Sequence, residues 1–481
     1  MAQKSIKKNT FFSILKTGSS ILFPLITFPY ISRVLLTENV GKVNFGLSIV
    51  SYFSLIASLG ISTYAIRECS AVRDDKKKLS GIASQIFSIN IVTTIIAYIA
   101  LALTFVFYRK LDNYRLLIAV QSLSIIGTTL GADWLNSAME DFKYITIRTV
   151  AFQIVSLILM FVFVHKPEDY IKYAVISLVS SIGASLVNIA YRRRYCRVSL
   201  TRRIEWKRHM IPIIYLFVMV LAQTIFHSVD STMLGLMHGD HAVGIYSTAH
   251  KIHNMINQVV GSLMWVIMPR MSYYFAIGDY NEINRLLRKI LNFNLTLGLP
   301  CAVGTIIMAK DIIRVVAGDA YIEATLVLQI LMVGFIISLI GGNFLGNAIL
   351  LPSKREKDFM IICCICAVVN LIANYLLIPV WGTVAAAGTT ALCSLIILIL
   401  SLCVADKKIK IDSLGKLIIA PLAGCTLIIA YCLLCSFIDS LYVRTIVSVC
   451  GSIIIYALAQ MILKNSLVYE IVSGIKNRIK K

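Results

Sequence analysis

The chain has 481 residues, of which 58% are hydrophobic and only 15% charged, and its mean hydropathy is +0.81. A water-facing globular surface needs about 25% charged residues, so a soluble globular protein is excluded. The net charge of +22 points either to nucleic acid or to a membrane surface, and its distribution along the chain decides for the membrane.

The apolar residues gather into runs close to the roughly 20 residues that a helix needs to cross about 30 Å of hydrocarbon. In chain order the expected spans are 11–36, 42–66, 81–107, 115–138, 144–165, 170–191, 210–237, 242–269, 289–309, 325–350, 358–380, 383–404, 415–438 and 443–464, about fourteen in all. A membrane barrel would show segments of about 10 residues that alternate apolar and polar; the run 82–107 does not alternate. Helices satisfy their own backbone in hydrocarbon, so the expected fold class is all-α and integral to a membrane. The first run follows a basic start, yet it is too long for a signal-peptide core and lacks a small-residue cleavage site. It is expected to be the first span.

Connections between spans are short. With the N-terminus cytoplasmic, the inner loops and tails hold about 34 Lys and Arg and the outer loops about 9. Both termini are then expected inside. The densest basic patch, 192–208, lies between spans six and seven on that inner side, where it meets anionic headgroups; no nucleic acid is expected as a partner.

The same patch separates two similar halves. Val40-Gly41 opens span two and Val243-Gly244 opens span eight; Gly131 precedes Asn136 as Gly342 precedes Asn347. The expected organisation is an N-terminal lobe at 1–191, a basic cytoplasmic linker at 192–209, a C-terminal lobe at 210–404, and two further spans with a basic tail at 405–481. Two six-span copies of parallel topology are a known transporter plan, with the substrate site between them.

Polar groups inside spans carry the functional signal, because a charge at the bilayer centre costs at least about 2.5 kcal/mol. In span eight, Ser247, His250, Lys251, Asn254, Asn257 and Gln258 recur at three- and four-residue spacing, with Ile252, Ile256 and Val259 on the other side. Span two has a milder polar side in Ser48, Ser51, Tyr52 and Ser54. Gln223, His227 and Asp230 share a face of span seven, Arg33 closes span one and Asp133 sits in span four. One reading surrounds a hydrated central cavity with them; the other has them bond helix to helix. The candidate substrate-binding residues are Arg33, Lys251, Asp230, Asp133, Asn254 and Gln258. His227, His250 and His253 are candidates for proton coupling, since imidazole titrates near neutral pH.

Gly127 with Gly131, and Gly342 with Gly346, form G-x-x-x-G pairs that are read as close helix packing. The twelve cysteines sit mostly inside apolar runs and are read as small core residues; neither a metal nor a cofactor is implied. No phosphate-binding glycine loop, zinc-protease motif or nucleophile with a base is present in the sequence, so an enzyme is not expected.

The run Phe28-Pro29-Tyr30-Ile31-Ser32-Arg33-Val34-Leu35, followed by Val40-Gly41-Lys42-Val43-Asn44-Phe45, resembles the opening of bacterial polysaccharide flippases of the Wzx type, in the multidrug, oligosaccharidyl-lipid and polysaccharide exporter superfamily. Further matches are Ala65-Ile66-Arg67-Glu68, Asp230 with Met233-Leu234-Gly235, Val243-Gly244-Ile245-Tyr246, and Leu377-Ile378-Pro379 with Gly382. The resemblance covers nearly the whole chain. It implies two six-helix lobes in a V plus two C-terminal helices, and the transport of undecaprenyl-diphosphate-linked oligosaccharide across the bacterial cytoplasmic membrane for O-antigen, capsule or exopolysaccharide. Implied partners are that substrate, membrane lipids, a polysaccharide polymerase and a chain-length regulator. In this reading Lys251 and Arg33 attract the diphosphate while Asp230 and Asp133 balance them. The rival readings are an ion-coupled exporter of drugs or organic cations and a membrane glycan polymerase.

Overall fold

The described residues of this computed structural model are 6–406, 409, 414–465, 467 and 468, and among them there are helices and short connections but no strand. The helices are α1 (Ile6–Ser58), α2 (Ile61–Ala71), α3 (Lys76–Phe107), α4 (Arg115–Gly131), α5 (Asp133–Ala138), α6 (Phe142–Phe163), α7 (Tyr170–Leu178), α8 (Ala184–Tyr191), α9 (Trp206–Met237), α10 (Gly239–Ile277), α11 (Tyr280–Val316), α12 (Ala324–Ile340), α13 (Glu356–Val404), α14 (Leu414–Cys435) and α15 (Leu441–Ile462). Two π-helical stretches, Val179–Gly183 and Gly341–Leu350, continue α7 and α12.

Two of these elements each hold a pair of helices. Inside α1, Leu36 leaves the helical region (φ 61°, ψ 178°), and inside α13 Gly382 does so (φ 55°, ψ −128°). The chain reverses at both points. Tyr30 donates to the Val164 carbonyl at 2.6 Å and Asn39 to the Pro167 carbonyl at 2.9 Å, so both sides of Leu36 reach the same short connection. Across Gly382, Thr389 Oγ1 donates to Asn374 Oδ1 at 2.6 Å and Cys366 lies against Cys393, the pairing of an antiparallel hairpin.

Counting α1 and α13 twice, and taking α7 with α8, α2 with the second arm of α1, and α5 with α4 as single passes, the described residues make fourteen helical passes. Among the described residues, ten stretches are long and apolar enough to cross a membrane, the α1 and α13 hairpins counting once each. The protein is a multi-pass membrane protein, as the apolar runs predict.

The chain divides into two compact units, Met1–Gly244 and Ile245–Lys481. In the first, α3 shows the inversion that hydrocarbon imposes. Val92, Ile95, Ile96, Ile99, Leu103 and Val106 stand exposed at helical spacing, whereas Asn90, Thr93 and Thr94 are buried. Apolar atoms lose nothing in lipid, but polar groups must find partners. Asn90 Nδ2 and Thr93 Oγ1 accordingly donate to the Ala57 carbonyl at 2.9 and 2.6 Å. Asp75 caps α3 by accepting from the Lys77 and Lys78 N–H groups, and those bonds, Lys78's foremost, hold its carboxyl below the usual carboxylate range.

Two passes of this unit break where the sequence predicts continuous helix. Span two ends at Ser58, passes through Leu59 (φ 42°) and Gly60 (φ 72°), and resumes as α2; span four turns at Ala132 (φ 49°) into α5. The short helices bury Ile61, Tyr64, Cys69, Leu135 and Ala138 against Leu79, Ile86 and Phe87 of α3 in one cluster. Gly60 supplies the left-handed position that Leu59 and Ala132 adopt only with strain.

In the second unit, Arg444 of α15 grips Asp311 of α11 with two bonds of 2.7 Å, the fork geometry that suits a guanidinium to a carboxylate. Tyr456 donates to the Thr296 carbonyl, and Asn292, Asn465 and Thr296 bond among themselves, tying α15 and the residues just after it to α11. The glycine pairs behave unequally. A methyl on Gly127 or Gly131 would stand 2.8 Å from Ile182 or Ser185, so that pair packs closely; Gly346 faces Phe359, but Gly342 has open space. Seven of the twelve cysteines are buried, in keeping with their reading as core residues.

Candidate functional site

In the first unit the structure builds a polar site around Asp133. The turn at Ala132 frees Asp133 from the α4 ladder and presents it to two neighbouring helices. Arg148 of α6 donates from Nη2 to Asp133 Oδ2 at 2.6 Å, and Asn188 of α8 donates to Oδ1 at 2.9 Å. Asn136 in turn donates to Asn188 Oδ1 at 2.6 Å. The pair is lopsided: the Arg148 side chain is 3% exposed and that of Asp133 50%. The guanidinium also lies 5.3 Å from the Tyr144 ring centroid. A buried arginine in hydrocarbon is costly unless paired, so Asp133 is what permits Arg148 to sit there.

A cavity of about 170 Å³ opens beside the carboxylate, lined by residues that include Ser54, Ser58, Asn90, Thr128 and Trp134. It lies where span two and span four both break.

The sequence reading named Asp133 but not Arg148. Its position four residues into span five makes it look like a loop-flanking charge, and the available signal was an Asp and an Arg in consecutive spans. Arg148, rather than Arg33 or Lys251, is the cation bonded to Asp133. Arg33 itself is exposed and donates from Nη1 to the Pro29 carbonyl of its own helix at 2.6 Å. Thr146 bonds to Phe12, and Tyr30 to Val164, so the first arm of α1 runs parallel to α6. Arg33 therefore lies beyond the Val164 end and Asp133 near the other, about 24 Å away at 1.5 Å per residue. The two do not share one pocket.

On span two, the polar side bonds helix to helix. Thr232 Oγ1 donates to Ser48 Oγ at 2.9 Å, Ser51 to Ser228 at 2.9 Å, and Tyr52 OH lies 3.1 Å from Thr232. Asp230, also on α9, is buried. His227 lies on α9, and its side chain is outside the described residues.

The second unit brings the span-eight candidates together. Tyr246 and His250 stack at 5.6 Å between centroids, His250 and His253 at 5.9 Å, and the Phe335 ring meets His253 edge to face at 5.9 Å. Asn254 Nδ2 lies 3.3 Å from His250 Nδ1. Asn343 of the π-helical stretch donates to Asn257 at 3.3 Å. Lys251 is partly exposed and Gln258 exposed. This face of α10 carries a cation, two imidazoles and amides in a row, a surface suited to water and to anionic or polyhydroxylated groups.

Comparison with known proteins decides the family. A family described as "Polysaccharide biosynthesis protein" matches residues 6–275, more than half of the chain. The chain belongs to that family. A second family, MatE, matches residues 216–376. Among curated relatives, the "Putative O-antigen transporter" of Escherichia coli K12 is 22% identical over 389 residues, 80% of this chain and 93% of that protein. The "Capsular polysaccharide biosynthesis protein CapF" of Staphylococcus aureus is 22% identical over 373 residues, 75% of this chain and 89% of the relative. Among solved structures, "Lipid II flippase MurJ, inward closed conformation" superposes with a TM-score of 0.76 at 16% identity, over 96% of this chain and all of that one. An inward-facing multidrug resistance MATE transporter gives 0.61 at 11% identity, over 84% and 94%. At these identities the superpositions establish a shared fold.

Proposed function

We propose that this family member moves undecaprenyl-diphosphate-linked oligosaccharide repeat units across a bacterial cytoplasmic membrane for surface polysaccharide synthesis, by alternating access. The observation that carries the reading is the family match over 6–275, supported by relatives named for O-antigen transport and capsule synthesis. The fold of a lipid II flippase over 96% of the chain agrees with it. No bond is made or broken in this reading.

The physical task follows from the substrate. Sugars and a diphosphate cannot enter hydrocarbon without compensation for their lost hydration, so the protein supplies the polar path while the polyprenyl tail stays in lipid. Lys251, with His250, Asn254 and Gln258 along α10, offers the diphosphate a charge and hydrogen-bond donors. In the first unit, Arg33 is a further candidate cation for the substrate and Asp230 a further candidate polar group. The mix of cations and amides suits an anionic substrate better than an organic cation.

Both termini face the cytoplasm, with 192–209 as a basic linker between the repeats 1–191 and 210–404, and 405–481 appended. A substrate with about two negative charges then moves outward down an inside-negative potential worth roughly 2.3 kcal/mol per charge per 100 mV. In this reading His227, His250 and His253 link protons to the return step. A polysaccharide polymerase and a chain-length regulator act on the delivered units. Expression in bacteria lacking their own repeat-unit flippase tests the reading: surface glycan should return, and accumulation of cytoplasm-facing lipid-linked glycan in well-expressing cells would overturn it.

A further inference from the structure

The cavity beside Asp133 is not explained by the diphosphate. We propose that it is a subsite for one sugar ring of the transported glycan, a reading that rests on the function proposed above. Four observations converge on it.

The first is charge. Asp133 is neutralised by Arg148, so a cation would have to displace the guanidinium and an anion would meet a carboxylate. The cavity selects an uncharged ligand.

The second is hydrogen-bonding capacity of both kinds. Ser58 Oγ donates to the Leu55 carbonyl and Thr128 Oγ1 to the carbonyls of Ser124 and Ile125, which leaves their lone pairs as acceptors. Each Asp133 oxygen accepts one described bond and keeps a second lone pair. Trp134 lines the same cavity, is 5% exposed, and its indole Nε1 has no acceptor among the described residues. A buried donor without a partner is costly and calls for an acceptor. A ligand that both donates and accepts at several points is a polyol.

The third is size. A cavity of about 150 Å³ admits benzene; this one has about 170 Å³ and opens on one side, so it has room for a ring with its substituents reaching the opening and not for a chain.

The fourth is backbone geometry. Leu59 and Ala132 hold left-handed conformations, beside Gly60, at the two places where helices open onto the cavity. Strain of this kind persists where the surroundings enforce it and clusters at ligand sites. Without these turns, Ser58 and Asp133 would continue regular helices.

The experiment compares two probes on the full chain in lipid nanodiscs: undecaprenyl diphosphate bearing one N-acetylglucosamine, and undecaprenyl diphosphate with no sugar. Wild type should bind the glycosylated lipid at least tenfold more tightly. Trp134→Phe keeps an aromatic ring and removes the donor, and Ser58→Leu fills the space. Each should bring the ratio of the two dissociation constants toward one while leaving the bare lipid's unchanged. A wild-type ratio of one overturns the subsite, as does an unchanged ratio in folded Trp134→Phe. Equal weakening of both lipids by Trp134→Phe also overturns it, because the residue would then be structural. If wild type binds neither lipid, the transport reading itself fails, an outcome separate from the other three.

Discussion

Gly41 and Gly244 occupy equivalent places in one helix crossing of the first unit. A methyl on Gly41 would stand 1.8 Å from the carbonyl oxygen of Asp240, and one on Gly244 would stand 2.1 Å from that of Thr37. Each glycine therefore receives the carbonyl four residues before the other, and the two Val-Gly pairs that mark the sequence repeat are the two sides of a close backbone contact. Gly235 repeats the theme one turn further on, against the Phe45 ring.

Gly41→Ala and Gly244→Ala should each lower the thermal stability of the purified protein, because neither carbonyl is free to retreat. Overpacking of this kind costs about 1–3 kcal/mol. Gly81→Ala, which meets nothing within 4 Å, should be neutral or slightly stabilising. Unfolding curves in detergent measure all three, and equal curves for Gly41→Ala and Gly81→Ala would contradict the crossing.

The Asp133 and Arg148 pair makes an asymmetric prediction. Asp133→Ala strands a buried guanidinium, a loss of about 3 kcal/mol or more. Arg148→Leu leaves a half-exposed carboxylate that the cavity can hydrate, so it should cost less. Denaturant unfolding ranks the two, and the opposite order would show that Arg148 has other support.

The topology is checked at two connections. Reporter fusions at Lys166 and Arg202 should read outside and inside respectively, following the excess of Lys and Arg on the inner loops. The same side for both would break the assigned orientation.

Most of the fold was legible because hydrocarbon leaves a chain few options: each apolar run of sufficient length became a helix, and the hairpins at Leu36 and Gly382 fall where the predicted spans meet. The breaks after Ser58 and at Ala132 were not legible. Nothing local to Leu59 or Ala132 demands a left-handed backbone, and the α2, α3 and α5 cluster that enforces it joins residues far apart in sequence. Asp133 was legible as a charge out of place, but Arg148 and Asn188 became its partners only through tertiary packing. The serines of span two were visible as a polar stripe, and only the positions of Ser228 and Thr232 show that they bond to α9.

Lys251 separates a substrate role from a structural one. It lies about nine residues into span eight as read from the sequence, roughly 13 Å along the helix, too deep to reach the headgroups easily. If it meets the diphosphate, Lys251→Arg should retain transport and Lys251→Ala should lose it by tenfold or more at equal expression. Full activity of Lys251→Ala would remove the residue from the mechanism.

The central claim is translocation of a lipid-linked glycan, and its most direct measurement uses purified protein in sealed vesicles. Undecaprenyl diphosphate bearing an oligosaccharide is placed in the membrane, and a membrane-impermeant lectin reports the glycan on each face over time. Transfer between faces should run well above that of protein-free vesicles, should quicken under a potential that drives negative charge toward the receiving face, and should fall in Lys251→Ala. Transfer no faster than in protein-free vesicles, from protein that is folded and correctly inserted, would contradict the account.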